Sequence, residues 1–457
     1  MNRLIFRIQI SGMIALSWVC SVVGADLMPI DPLWKSASFR KAFTGSYGID
    51  SRIEPKVTTS EKSVLEAVAA ELADKDRDGA AAKLTGSSLL KTSPALMFAL
   101  GNLRFEQGEI EDAVENFEAA VKLYPNFRDA HRNLAIAQVQ QSEFKKAEPH
   151  LIRAIELGAQ DGLALGLLGY VHSNADRHQA ALQAFCLAQL TMPAEIQWKV
   201  GEAHALLSLD EPRGAASIYA DILTQQPTEA GIWKNQAYAF FLLEESVKGL
   251  ANLEFASRLG KLTASETLSL GHLYLNETLY DLAKNRYEEA VKMTENPASP
   301  DELIAAVEYL ADVYQWESAK SILEEIRVIH GEKIDEKDIL QNRFSRAEAL
   351  IELEIGNSEK GATLVAEILK KNPVDGEALI LLAKFHLREA EAEEAVMMFE
   401  QAALIPESEA EARLEHGQIL VNQGDYKAGI EMLKRSHELK PNPSIAEYIE
   451  GLREFLR

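Results

Sequence analysis

The chain has 457 residues, of which 47% are hydrophobic and 26% are charged, and its formal net charge at pH 7 is -23. This length and composition allow a large continuous core. The acidic charge repels phosphates and anionic lipid headgroups, and no cluster of Lys and Arg with interleaved aromatic residues offsets it. We therefore expect no nucleic-acid partner, and we interpret the excess Glu and Asp as solvated outer faces of helices.

The first 25 residues have the pattern of a secretory signal peptide. Arg3 and Arg7 precede an apolar run over residues 8–23, and Ala25 fits the small residue before a cleavage site. The run is too short and interrupted for a membrane span, and no later segment has 18 uninterrupted apolar residues. We predict cleavage near Ala25 and a secreted, periplasmic mature chain without a membrane span.

Cys20 offers an alternative, which is lipid attachment as a lipoprotein. Trp18 and Val19 before it are poor fits to the small residues that such a site prefers, so we rank this alternative below cleavage at Ala25. Cleavage leaves Cys186 as the single cysteine of the mature chain, and we expect no intramolecular disulfide.

Residues 26–60 do not follow the pattern of the rest of the chain. They contain four aromatic residues: Trp34, Phe39, Phe43 and Tyr47. Phe39 and Phe43 are spaced to share one face of a short helix. We interpret the segment as an N-terminal cap on the repeats that follow. The alternatives are a docking segment for a partner, and a tail that occupies the protein's own groove.

From residue 94 the sequence repeats every 34 residues without insertion, in frames that begin at 94, 128, 162, 196, 230 and 264. Position 8 of a frame is small, as in Gly101, position 20 is small, as in Ala113, and position 24 is bulky, as in Phe117. A proline such as Pro125 then ends the second helix of the frame. The period predicts stacked pairs of helices that approach closely at the small residues.

This pattern resembles the tetratricopeptide repeat family in its small residues at positions 8, 20 and 27, its aromatic residue or leucine at 24 and its proline at 32. The resemblance implies an all-α, right-handed superhelical solenoid of about eleven antiparallel helix pairs with a C-terminal capping helix. We expect an N-terminal sub-array over residues 61–328, an irregular charged connection at 329–341, a C-terminal sub-array over 342–443 and the capping helix at 444–457.

The resemblance also implies that the first helices line a concave groove through positions 2, 5, 9 and 12. Aromatic, amide and cationic side chains at these positions suit an extended peptide, whereas the alternative is that the rings only fill gaps between helices. Carried onto this chain, these positions and their neighbours give a predicted groove of Phe98, Asn102, Phe105, Arg132, Asn133, Ile136, Tyr170, His204, Lys234, Asn235, Tyr238, Phe241 and His272.

We expect no enzyme, no cofactor and no metal site. The ten histidines are spread as single residues, without the spacing of a zinc protease, and no phosphate loop or serine elbow is present. The predicted function is a secreted scaffold or adaptor that binds a peptide segment or a protein partner in its groove.

The layout resembles the secreted repeat proteins associated with TonB-type systems, which implies envelope energy-transducing components as partners. The alternatives are a self-assembling structural scaffold without a peptide ligand, and an accessory factor that handles polysaccharide or cell wall. The sequence leaves the client and the oligomeric state open.

Overall fold

The computed structural model describes residues 33–34, 54–260 and 262–456. This part of the chain contains 23 α-helices, one short 3₁₀ turn and no strand, which confirms the predicted all-α fold. The predicted signal peptide, and most of the segment 26–60, lie outside the described residues. None of the helices that the structure describes is both long and apolar enough to span a membrane.

The chain divides into two compact units between residues 255 and 256, rather than at the predicted 329–341. The helices that begin in the first unit are α1 (Thr59–Ala73), α2 (Arg77–Thr85), α3 (Pro94–Gln107), α4 (Ile110–Leu123), α5 (Arg128–Gln140), α6 (Phe144–Glu156), α7 (Gly162–Ser173), α8 (His178–Thr191), α9 (Ile196–Ser208), α10 (Pro212–Gln225), α11 (Ala230–Leu242) and α12 (Ser246–Arg258).

The second unit continues the same succession of helices. They are α13 (Ala264–Asn276), α14 (Tyr280–Lys292), α15 (Pro300–Asp312), α16 (Trp316–Asp335), α17 (Asp338–Glu354), α18 (Ser358–Lys371), α19 (Gly376–Arg388), α20 (Ala392–Ala402), α21 (Glu409–Asn422), α22 (Tyr426–Leu439) and α23 (Pro443–Phe455).

The described helices form eleven pairs and one extra helix, as the 34-residue period predicts. The odd-numbered helices α1 to α21 are the first helices of the pairs, and the even-numbered helices α2 to α22 are the second helices. The last helix, α23, packs on α22, and its Ile445 and Ile449 share a buried cluster with Leu433. It covers the apolar end of the last pair, which is the predicted capping role.

The pattern of small and bulky positions arises from a direct contact between the two helices of a pair. A Cβ atom added to Gly101 at position 8 would lie 2.6 Å from the ring of Phe117 at position 24, and one on Gly271 would lie 2.3 Å from Tyr287. Side chains do not pack at such distances. Position 8 is therefore small because the bulky residue of the second helix lies directly against its backbone.

The turn between the two helices of a pair has the same backbone in all ten frames from residue 94 onward. Position 15 is left-handed in each, with φ between 56° and 91°. Three of these residues are glycines, as the sequence indicates, and the others are Ser142, Asp176, Asp210, Glu244, Thr278, Tyr314 and Ala390. The stacking of helices imposes this backbone even on residues that disfavour it.

Residues 329–341 were predicted to be an irregular connection, and the structure corrects this prediction. The helix α16 continues to Asp335 and α17 begins at Asp338, so these two helices have 20 and 17 residues. His330 Nε2 lies 3.1 Å from the carbonyl oxygen of Val291, and Ile334 is fully buried. The extra residues lengthen the second helix of one pair, α16, and the first helix of the next pair, α17.

Candidate functional site

The face of α5 that was predicted to line the groove is covered. Its positions 2, 5, 9 and 12 have exposed fractions of 7% for Asp129, 5% for Arg132, 0% for Ile136 and 2% for Val139. Phe98 on the preceding first helix, α3, is 2% exposed. This part of the predicted groove is not open to an added ligand in the structure.

Two of the predicted polar groove residues join neighbouring repeats. The guanidinium of Arg132 donates to the carboxylate of Asp161 from Nε at 3.0 Å and from Nη2 at 3.2 Å, and Asp161 also caps the start of α7. Asn133, which is fully buried, donates from Nδ2 to Oδ1 of Asn102 at 2.8 Å. These side chains hold consecutive first helices together.

The remaining predicted residues of the first unit lie on a partly open face. Tyr170 packs edge-on against Phe144, with ring centroids 5.7 Å apart, and Phe241 lies against the backbone of Gly249. One side of these rings fills a gap between helices, as the alternative interpretation requires. The half-buried residues are Asn102, Phe105, Tyr170, His204, Lys234, Asn235, Tyr238 and Phe241.

His272 belongs to the second unit and lies in its interior, which corrects its assignment to the groove. Its Nδ1 atom is 2.6 Å from Oη of Tyr287, and its ring packs edge-on against Tyr309 at 4.7 Å between centroids. Burial lowers the pKa of His272 to about 3, so the ring stays neutral at physiological pH.

The predicted docking segment is represented by one of its four aromatic residues. Trp34 is described, whereas Phe39, Phe43 and Tyr47 lie outside the described residues. Trp34 and the adjacent Leu33, which is 1% exposed, pack with the hydrophobic cluster that contains Phe98 and Ile136.

The second unit has a cavity of about 490 Å³ on the face of its first helices. The first helices α15, α17, α19 and α21 supply its lining, which combines apolar side chains with charged ones. The lining residues are Val307, Glu308, Ala311, Asp312, Arg343, Arg346, Ala347, Leu350, Ile351, Glu377, Ile380, Leu381, Lys384 and Glu411.

The cations of this cavity are held by carboxylates from neighbouring repeats. Arg343 donates from Nε to Glu308 at 2.8 Å, and Arg346 donates from Nη1 to Asp375 at 2.9 Å. Lys384 lies 3.2 Å from a carboxylate oxygen of Glu411. The Arg346–Asp375 pair repeats the geometry of Arg132–Asp161, because both join position 5 of one frame to the residue before the next first helix. The charges of the cavity are thus fixed in place before any ligand arrives.

Asp312, a carboxylate of the cavity lining, has a raised pKa. Burial, followed by repulsion from Glu308 and Glu411, raises the pKa of Asp312 to about 6. Its side chain still reaches solvent at the edge of the cavity.

The sequence prediction stopped at the frame that begins at 264 and therefore missed this cavity. The sequence does contain the pattern that indicates it. Glu308 is at position 9 of the frame at 300, Arg343 and Arg346 are at positions 2 and 5 of the frame at 342, and Lys384 is at position 9 of the frame at 376. The same position rule, applied to the later frames, identifies the charged lining of the cavity.

The fold and these faces define a helical-repeat protein that presents its first helices as a surface. The description "TPR repeat" matches residues 101–142, and the description "Tetratricopeptide repeat" matches residues 133–192, 346–412 and 410–443. Models of the tetratricopeptide repeat thus match residues 101–192 and 346–443, where the structure has successive helix pairs.

A curated relative and several solved structures are similar to parts of the chain. The Protein CTR9 homolog of Arabidopsis thaliana is 29% identical over 114 residues, which are 23% of this chain, and the match spans 10% of that relative's length.

Three structures illustrate the similarity in fold. A tetratricopeptide repeat protein from Parabacteroides merdae has a TM-score of 0.38 and 15% identity, over 55% of this chain and 99% of its own. YrrB, described as a TPR protein with an unusual peptide-binding site, has a TM-score of 0.35 and 20% identity, over 37% of this chain and 87% of its own. PilF of Pseudomonas aeruginosa has a TM-score of 0.37 and 18% identity, over 44% of this chain and 92% of its own.

Proposed function

We propose that the protein is an adaptor that binds a peptide segment of a partner noncovalently in the cavity of the second unit. The observation that carries the proposal is the cavity of about 490 Å³ lined by four successive first helices. Its volume lies in the range of sites that hold small ligands or a few side chains. Apolar side chains such as Leu350 and Ile380 would bury an apolar residue of the peptide, and the fixed charges would select its neighbours.

A matched pair of charge reversals tests this proposal. Lys384→Glu changes the cavity, and Lys371→Glu makes the same charge change at an exposed position at the end of α18, away from the cavity lining. Peptides that bind the unaltered chain are selected from a phage-displayed library. Calorimetry then measures their affinities for the unaltered chain and for both variants. We expect Lys384→Glu to weaken the selected peptides by at least tenfold and Lys371→Glu to leave them unchanged.

Circular dichroism shows whether both variants keep the helical content of the unaltered chain. Peptides that bind the three proteins alike would place the binding site elsewhere. Failure to select any peptide that depends on Lys384 would contradict the proposal in the same way.

We also propose that the adaptor works in the periplasm, in an envelope assembly such as a TonB-type system. The apolar run over residues 8–23 and the layout of signal, aromatic segment and repeats support this extension. Mass spectrometry of the protein from its natural cells tests it, since a mature chain that begins after Ala25 is expected. An uncleaved chain, or one lipidated at Cys20, would contradict the predicted processing.

Neighbouring genes test the partner. An adjacent pair of proton-channel genes of the ExbB/ExbD type is expected for the TonB-type assignment. Adjacent polysaccharide-export genes would instead favour the cell-wall alternative, and a defined homo-oligomer in light scattering would favour self-assembly.

A further inference from the structure

The first helices within residues 54–255 differ in how far their groove positions are exposed. In α5 the four groove positions are all buried, from Asp129 at 7% to Ile136 at 0% exposed. In α11 the equivalent position 2, Gly231, is exposed, and positions 5, 9 and 12 are half-buried. The turns of these two frames have the same left-handed backbone, with φ of 60° at Ser142 and 59° at Glu244, so the difference in exposure points to an additional element over α5.

Residues of the chain's own N-terminal region belong to the packing around this face. Leu33 is 1% exposed and belongs to the hydrophobic cluster that includes Phe98 at position 5 of its frame and Ile136 at position 9. Trp34 packs against the same cluster. Leu33 and Trp34 lie outside the repeats, yet they belong to the packing of the first helices α3 and α5.

A second anchor lies where the described chain resumes before α1. Glu54 is 3% exposed, and its carboxylate accepts from Nη2 of Arg128, at the start of α5, at 3.1 Å. A carboxylate is rarely buried without a charged partner, so the Arg128 guanidinium fixes this end of the segment. The first anchor leads to α3 and α5 and the second to the start of α5, whereas a simple end cap would lie on the first pair, α1 and α2.

We propose that the face of α3 and α5 is a binding site for an aliphatic–aromatic pair, and that the chain fills it with its own Leu33 and Trp34. The segment acts as a ligand in cis. A segment tethered in this way has an effective concentration on the order of millimolar, so a free peptide at micromolar concentration does not displace it. This inference is independent of the cavity of the second unit and of the function proposed for it.

A peptide added in trans tests the inference. The probe is a fluorescein-labelled synthetic peptide with the sequence of residues 26–54, and the protein is the full chain with Leu33→Asp and Trp34→Asp, which vacates the face. We expect the peptide to bind this variant at least tenfold more tightly than it binds the unaltered chain. A peptide that carries the same two substitutions should not bind.

A matched control is Val57→Asp, because Val57 is 37% exposed and lies outside the cluster. This chain should behave as the unaltered one does. Equal binding to the vacated and unaltered chains would overturn the proposal, and so would no binding to a vacated chain that keeps its helical content.

A crosslinking measurement applies if the vacated chain does not fold. The photoreactive residue benzoylphenylalanine replaces Trp34 in the otherwise unaltered chain. After irradiation we expect crosslinks to residues 94–140, within the helices α3 to α5. Crosslinks to residues 54–92 alone would show an end cap on the first pair, and crosslinks to another copy of the chain, or none, would equally overturn the proposal.

Discussion

Three histidines within the helix packing are held neutral by burial. Nδ1 of His131 lies 2.9 Å from Nδ1 of His150, so one ring donates and the other accepts, and both cannot be charged in this arrangement. Burial, followed by the charge of His131, lowers the pKa of His150 to about 4, and burial lowers the pKa of His131 as well. Together with His272, these rings make helix packing sensitive to acid.

We expect stability to fall as the pH decreases below 6.5. The folded pKa of His272 is about 3, so between pH 6.5 and 3 the unfolded chain takes up a proton that the folded chain does not. Each such ring weakens folding by about 1.4 kcal/mol per pH unit in its window. Urea unfolding followed by circular dichroism between pH 7 and 5 measures this slope.

His272→Phe isolates one of these rings. The variant loses the hydrogen bond to Tyr287 and is less stable at pH 7, but its stability should decline less steeply toward pH 5 than that of the unaltered chain. Equal slopes would show that His272 is not held neutral in the folded protein.

Asp312 predicts the opposite dependence on pH. Its folded pKa of about 6 is above the ordinary value of 3.8, so its charge opposes folding increasingly from pH 3.8 to 6 and fully above that. Asp312→Asn should therefore stabilise the protein at pH 8, by at most about 1 kcal/mol because solvent screens this side chain. The gain should be smaller at pH 5 and absent near pH 3.

Melting temperatures at these three pH values measure the effect. Asp338→Asn is a control for the loss of one carboxylate outside the cavity lining. A gain of Asp312→Asn that does not change with pH would contradict the raised pKa.

At the scale of the element, the turn inside each helix pair shows how stacking overrides local preference. Thr278 is β-branched and exposed, and it adopts φ of 60° at the same frame position where Gly356 has φ of 91°. The left-handed region costs a non-glycine residue roughly 1–2 kcal/mol. The packing of the two helices compensates this strain in seven of the ten turns from residue 94 onward.

Exchanging the residue types at equivalent turns should have opposite effects. Thr278→Gly relieves the strain and is expected to stabilise by about 0.5–1 kcal/mol, because the greater freedom of glycine in the unfolded chain offsets part of the gain. Gly356→Ala introduces the strain and should destabilise by about 1 kcal/mol. Urea midpoints measure both changes, and a destabilised Thr278→Gly together with a neutral Gly356→Ala would contradict this account.

The sequence was sufficient to predict the helix pairs and insufficient to predict what covers them. Helix starts follow from a period fixed by contacts such as Gly101 against Phe117, which recur at Gly169, Gly271 and Gly417 and leave a pattern in the sequence. Leu33 and Trp34 have no equivalent in the repeats, so the sequence left a cap, a docking segment and a tail in the protein's own groove as alternatives and could not indicate which helices they join. The length of α16 and α17 was not predicted, because a charged stretch without periodicity is equally compatible with a loop and with a helix.

At the scale of the whole molecule, the chain divides into two compact units at residues 255 and 256, and each unit contains several helix pairs. Repeat arrays are stabilised by contacts between near neighbours, so damage to one repeat need not reach the far end. Tyr219 and Tyr287 occupy position 24 of the frames at 196 and 264, one in each unit, and are 1% and 0% exposed. Replacing either one removes the same kind of buried ring, in one unit or in the other.

Tyr219→Ala and Tyr287→Ala should each open their own unit. Removing a buried aromatic ring leaves a cavity and costs about 3–5 kcal/mol. Hydrogen exchange followed by mass spectrometry should show faster exchange confined to helices of residues 54–255 for the first variant and of 256–456 for the second. Faster exchange along the whole chain in either variant would show that the array opens as one cooperative body, and the division would then describe packing density rather than stability.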